Sequence, residues 1–149
     1  MTLLQSYNSA AEEKDIVMND IERPQMGEMP HAIIVEDEES LSTIFRKAID
    51  MAGYSVEVIS NGKEALNRLQ NIAPNLLLLD LHLPQVTGEE IIEAVRQKPE
   101  FSDTRIILAT ADARLGNHIE SKADLVLIKP IRFSTLKRLA TRFNPSHAA

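Results

Sequence analysis

The sequence predicts an α/β fold: a parallel sheet covered by helices on both faces. Five short runs of nearly unbroken apolar residues recur from His31 onward, and segments with helical apolar spacing alternate with them. Gly, Pro and Asn mark the boundaries between them. Strands that are apolar throughout, rather than at every second position, belong in a parallel sheet buried on both sides.

The first strand is "AIIV" (32–35), and Leu41, Ile44, Phe45, Ala48 and Ile49 after it fall at helical spacing, with Gly53 as the stop. The second strand is "SVEVI" (55–59). Ser60 or Asn61 can cap a helix carrying Ala65, Leu66 and Leu69, which ends before Pro74. The third is "NLLLL" (75–79); Gly88 opens a helix with Ile91, Ile92 and Val95 on one face and Pro99 beyond it. The fourth is "RIILA" (105–109). The segment after it, "TADARLGNHIESKA", holds Gly116, Asn117 and little apolar stripe, which predicts a short or irregular helix. The fifth strand is "DLVLI" (124–128), followed by a helix with Leu136, Leu139, Ala140 and Phe143 at i, i+3, i+4, i+7 spacing.

The 149 residues suit a single core. Sixteen basic residues against 22 acidic ones give a net charge of −6, which argues against a general grip on nucleic acid. Without cysteine there is no disulfide and no thiolate metal site. No basic region followed by an apolar stretch opens the chain, and no apolar run is long enough for a bilayer, so a cytoplasmic protein is expected. Residues 1–30 hold six acids and two basic residues with no strand pattern, and are expected to form a flexible acidic arm ahead of a domain spanning 31–149. No second domain is expected after the fifth helix.

The run "LLLLDLHLP" (76–84) drives an apolar strand into Asp80. In open α/β sheets ligands bind outside the carboxyl ends of the strands. Glu36 and Asp37 end the first strand, Asp80 the third, Thr110 the fourth and Lys129 the fifth, so three acids, a hydroxyl and an ammonium converge at one edge. Each alone has an ordinary reading: "EDEE" as a helix start favoured by the dipole, Thr110 or Asp112 as a cap, Lys129 as a surface lysine. Together they are harder to dismiss. Two carboxylates ~5 Å apart at an effective dielectric near ~20 repel by roughly 3 kcal/mol. Lys129 supplies one positive charge for three acids, so a divalent ion with oxygen ligands, Mg²⁺ above all, is implied. An ionised aspartate beside a metal, a hydroxyl and an ammonium is equipped to attack phosphorus.

The motifs "AIIVEDEE", "LLLLDLHLPQVTGEE", "IILATAD" and "LVLIKPI" resemble, in order and spacing, the receiver domain of two-component response regulators over about residues 31–149. The likeness is to a single-domain receiver of the chemotaxis-regulator kind. It implies a doubly wound, flavodoxin-like, five-stranded sheet in order 2-1-3-4-5. It makes Asp80 the phosphoacceptor, Thr110 the switch hydroxyl and Lys129 the phosphate-contacting lysine, with a cis bond to Pro130. Asp37 and Asp80 would hold Mg²⁺ directly, Glu36 through water, and His82 through its backbone carbonyl. Pro84 and Gly88 match the family's turn after the acceptor, and His82 and Asp112 stand where the family tunes dephosphorylation.

The implied activity is phosphoryl uptake from a histidine kinase or histidine phosphotransfer protein, with self-catalysed gain and loss of phosphate rather than turnover of a substrate. Output would run through an unknown protein partner or a phosphorelay, without nucleic-acid or membrane contact. The chain departs from the family pattern at Val126, where Tyr or Phe is common, and in the short stretch from Thr110 to Lys129. The alternative is a receiver-shaped docking module not regulated by phosphorylation. A haloacid dehalogenase-type hydrolase would need an acid where His82 stands. Lys129 to Ala149 carries five basic residues and no acid, a face on which the acidic arm is a candidate to dock.

Overall fold

The computed structural model describes residues 28–147, so the arm expected for residues 1–30 lies outside them except for its last three positions. Five strands alternate with five helices: β1 (His31–Val35), α1 (Glu39–Met51), β2 (Ser55–Ile59), α2 (Gly62–Leu69), β3 (Leu76–Asp80), α3 (Gly88–Arg96), β4 (Arg105–Thr110), α4 (Ala113–Ile119), β5 (Leu125–Ile128) and α5 (Phe133–Phe143). All neighbouring strands are parallel, in the order β2-β1-β3-β4-β5. The doubly wound, flavodoxin-like class expected from the sequence is the one observed.

The parallel register explains why the strands are apolar on both sides. Ile33, Val35, Leu77, Leu79, Ile106 and Leu108 pack on one face against Ala65, Leu69, Ile91, Ile92 and Val95 of α2 and α3. Ala32, Ile34, Leu76, Leu78, Ile107 and Ala109 pack on the other against Phe45, Ala48, Ile49, Leu136 and Ala140 of α1 and α5. Each buried Leu or Ile contributes about 1.5–3 kcal/mol. Register also moves two functional positions: Asp80 is the last residue inside β3, opposite Ala109, and Thr110 the last inside β4, opposite Ile128. The sequence pattern had placed both just beyond their strands.

Asn61, Thr87 and Asp112 cap α2, α3 and α4, each side chain accepting from a backbone N–H of the first turn. Helix α4 is short, as expected, and tightens into a 3-10 turn at Glu120–Lys122. Its Gly116 lies so close to β5 that a Cβ would come within 2.8 Å of Val126 Cγ1. Glycine lets a short helix seat directly on the edge strand. On the opposite face the Tyr54 hydroxyl donates to Ala140 O at 2.8 Å, and Asn144 Nδ2 donates to Ala52 O at 2.9 Å, fastening α5 to the end of α1.

A polar cluster closes the amino edge of the sheet. Asp124 takes Arg96 Nη2 at 3.1 Å, Arg105 Nη1 at 3.3 Å and the Ile106 N–H at 2.7 Å. Arg96 also donates to Lys122 O at 2.8 Å. One arginine thereby ties the end of α3 to the entrances of β4 and β5.

Candidate functional site

At the carboxyl edge β1 and β3 are direct neighbours, so the residues at their tips meet. Glu36 follows β1 with its N–H held by Ile59 O at 3.1 Å, and Asp80 ends β3. Both are almost fully buried, at 2% and 3% exposure, which is unusual for carboxylates. Asp37 is exposed. An oxygen from each of the three lies within 4.8 Å of the others.

Among the described residues Lys129 is the cation that reaches this group. Its Nζ donates to Glu36 Oε1 at 2.9 Å and sits 3.5 Å from Asp80 Oδ2. Its backbone is fixed by the Lys129 N–H, which donates to Thr110 O at 2.8 Å; the bond to Pro130 is cis. The second oxygens are met by backbone donors, the Glu38 N–H to Glu36 Oε2 at 3.2 Å and the His82 N–H to Asp80 Oδ1 at 3.0 Å. The His82 side chain is exposed, and its imidazole is not among the atoms that gather here.

The turn after Asp80 is built for close approach. The Gly88 N–H donates to Leu81 O at 3.3 Å. A Cβ on Gly88 would lie 2.3 Å from Asp80 O, so α3 can begin there only with glycine. Gln85 takes a positive φ of 68° in the same loop. Thr110 is fully buried, and its Oγ1 accepts from the Asp112 N–H at 3.0 Å, pinning the start of the β4–α4 turn.

The electrostatics are those of a site short of positive charge. Burial pushes the Glu36 carboxyl above its ordinary range, opposed by the Lys129 hydrogen bond and reinforced by the Asp80 charge. Burial pulls the Lys129 ammonium down, but its bond to Glu36 and the charges of Asp80 and Glu36 outweigh that and hold it above the usual lysine value. Three acids and one ammonium leave two negative charges uncompensated. A set made only of oxygen donors, partly buried and open on the Asp37 side, fits a hard divalent cation such as Mg²⁺.

The structure therefore brings Glu36, Asp37, Asp80 and Lys129 into one group, with Thr110 at the neighbouring strand tip. Sequence reasoning missed the Glu36–Lys129 ion pair, which joins residues 93 positions apart, and the two backbone donors. Only the convergence of strand ends hinted at the first. Backbone donors leave no mark in side-chain identity.

A doubly wound sheet with acids at the adjacent tips of β1 and β3 defines a receiver-like class of α/β protein. The model of the response regulator receiver domain matches residues 32–141, and the chain belongs to that family. It is 38% identical over 115 residues to the phosphate regulon transcriptional regulatory protein PhoB of Rhizobium meliloti, covering 75% of this chain and 50% of that protein. It is 36% identical over 90 residues to the polar-differentiation response regulator DivK of Brucella anthropi, covering 60% and 73%. The chain thus spans about half the length of the PhoB relative and more of the DivK one. Among solved structures, the chemotaxis response regulator CheY4 of Vibrio cholerae superposes with a TM-score of 0.70 at 27% identity, over 78% of this chain and 99% of that one. The receiver domain of a Pseudomonas aeruginosa sensor histidine kinase, solved with a magnesium ion coordinated in its active site cleft, shares the fold, with a TM-score of 0.69 at 23% identity over 78% and 98%. Among the described residues no helix is long and apolar enough to cross a membrane.

Proposed function

We propose that this chain is a phosphorylatable receiver, in which Asp80 accepts a phosphoryl group from a partner histidine kinase or histidine phosphotransfer protein. One observation carries the reading: a buried aspartate sits among two further acids with a single ammonium, an arrangement too costly to keep for packing alone.

In the proposed step a carboxylate oxygen of Asp80 attacks phosphorus as the P–N bond of a phosphohistidine, protonated on its other ring nitrogen, breaks, leaving an acyl phosphate on Asp80 and a neutral imidazole on the donor. The His82 N–H fixes the orientation of the carboxylate. Lys129, 3.5 Å from Asp80 Oδ2, meets the negative charge that arrives with the phosphoryl oxygens. The Thr110 hydroxyl, which donates to Asp112 O at 3.4 Å, can turn that donation to one of those oxygens. Asp37 and Asp80 would hold Mg²⁺ directly, Glu36 through water and His82 through its backbone carbonyl, and the ion would supply neutralisation of the reacting phosphate. Water attack on the acyl phosphate restores the free aspartate, with His82 and Asp112 at the rim setting its lifetime. Output runs through protein contacts or onward transfer in a phosphorelay, in keeping with the acidic net charge.

The test is incubation with Mg²⁺ and acetyl phosphate, read by intact mass and by beryllofluoride-induced amide shifts. One phosphoryl group on the wild type and none on Asp80→Asn is the expected result. Uptake that persists in Asp80→Asn removes Asp80 as acceptor. No uptake by the wild type leaves a receiver-shaped docking module.

A further inference from the structure

The helical layers on the two faces of the sheet are charged differently. Helices α2, α3 and α4 carry Lys63, Arg68, Arg96 and Arg114 against Glu64, Glu89, Glu90 and Glu93, a net charge of zero. Helices α1 and α5, counted from the Arg132 cap, carry Arg46, Lys47, Arg132, Lys137, Arg138 and Arg142 against only Glu39 and Asp50, a net charge of +4. None of these six cations has an ion-pair partner among the described residues, whereas of the four on α2, α3 and α4 only Lys63 lacks one. Arg138 and Arg142 stand one turn apart on the exposed side of α5. The same layer exposes two large apolar side chains, Ile44 at 46% and Met51 at 52%.

A chain with a net charge of −6 has acidic sequence of its own that can meet such a row of cations. The sequence holds a candidate in "EEKDIVMNDIE" (12–22), with five acids, one lysine and the apolar residues Ile16, Val17, Met18 and Ile21. The point where the chain enters the fold favours this face. Pro30 O accepts from Ser55 N–H at 2.8 Å, next to Tyr54, whose hydroxyl reaches Ala140 of α5. The entry point therefore lies beside the carboxyl ends of α1 and α5. The six residue-to-residue steps from Glu22 to Glu28 span at most about 20 Å. The 11 residues of α5 run about 16 Å. The acidic segment can lie along the whole helix without strain.

We infer that the α1–α5 face is the docking surface for the chain's own acidic segment, residues 12–22. Its carboxylates meet Arg138, Arg142 and their neighbours, and its apolar residues meet Ile44 and Met51. This contact holds one helical layer of the domain against outside partners and is independent of chemistry at Asp80.

The absence of cysteine makes the test direct. A nitroxide on Asn19→Cys in the full-length chain should strip intensity from the amides of α5 and the exposed side of α1, and leave α2 and α3 untouched. The loss should vanish at about 1 M salt, where charges are screened beyond about 3 Å. It should also vanish in the full-length Arg138→Glu/Arg142→Glu variant, whose otherwise unchanged amide spectrum verifies its fold. Broadening that is absent, centred on α2 and α3, or unaltered by the charge reversal overturns the inference. Broadening that appears only when nitroxide-bearing chains are mixed with isotope-labelled, unmodified ones also overturns it, because the occupant is then a second copy.

Discussion

At the carboxyl edge of the sheet three carboxylates share one ammonium, whereas at the amino edge a single carboxylate, Asp124, collects two guanidinium groups and a backbone N–H. Both clusters set carboxylates against cationic side chains and join elements distant in sequence. The balance differs. Asp124 is oversupplied with donors and needs nothing from outside, so its cluster reads as a fastening between α3, β4 and β5. Glu36, Asp37 and Asp80 are undersupplied, and two of them are buried where the deficit is costly. An acid cluster short of cations waits for a ligand; one with cations to spare has finished its work on folding.

The contrast can be broken most severely at Asp80. Asp80→Asn should lower phosphoryl uptake from acetyl phosphate by at least about 100-fold. Its denaturant midpoint should hold or rise, because the substitution relieves repulsion. A large loss of stability would show that the acid serves packing. The reverse outcome is expected at the other edge, where Asp124→Ala should cost about 2–3 kcal/mol by urea unfolding. Uptake at Asp80 should survive below the lowered midpoint.

The two edges should also differ in what a cation does to them. Mg²⁺ at ten times its dissociation constant should stabilise the wild type by about 1.4 kcal/mol. It should do the same for Asp124→Ala and do much less for Asp80→Asn, as read by thermal unfolding with and without chelator. A smaller effect is expected at Tyr54, away from both clusters. Tyr54→Phe should cost about 1 kcal/mol at neutral pH through the lost bond to Ala140. Burial raises the folded pKa of this phenol. The unfolded chain therefore ionises first, near pH ~10, and the wild type loses stability as pH rises from there towards the folded value. The phenylalanine variant should lose less over the same range.

Much of this was legible in the residues. Apolar strands with helical segments between them gave the parallel sheet, and the rule that ligands sit beyond the strand ends gathered Glu36, Asp37, Asp80, Thr110 and Lys129 before any coordinates. Gly116 and Asn117 announced the short α4. What the sequence hid was pairing across distance. "DLVLI" put Asp124 inside the fifth strand, whereas it precedes β5 and turns its carboxylate to Ile106 and two arginines. Asn144, one residue past the last apolar position of the fifth helix, is buried against Ala52. Such partners are chosen by the folded surface, and nothing local in the chain encodes them.

Strand β3 lies between β1 and β4, with every residue buried, whereas β5 is an edge strand, half-buried and covered on one side by a helix of seven residues. Opening events begin where burial is thin. Amide exchange should therefore be fastest through α4 and β5 and slowest at Leu77–Leu79. Asp80, the proposed acceptor, would then stay registered on the most durable strand while the flank beside Thr110 opens. The molecule can yield at its margin without misplacing that carboxylate.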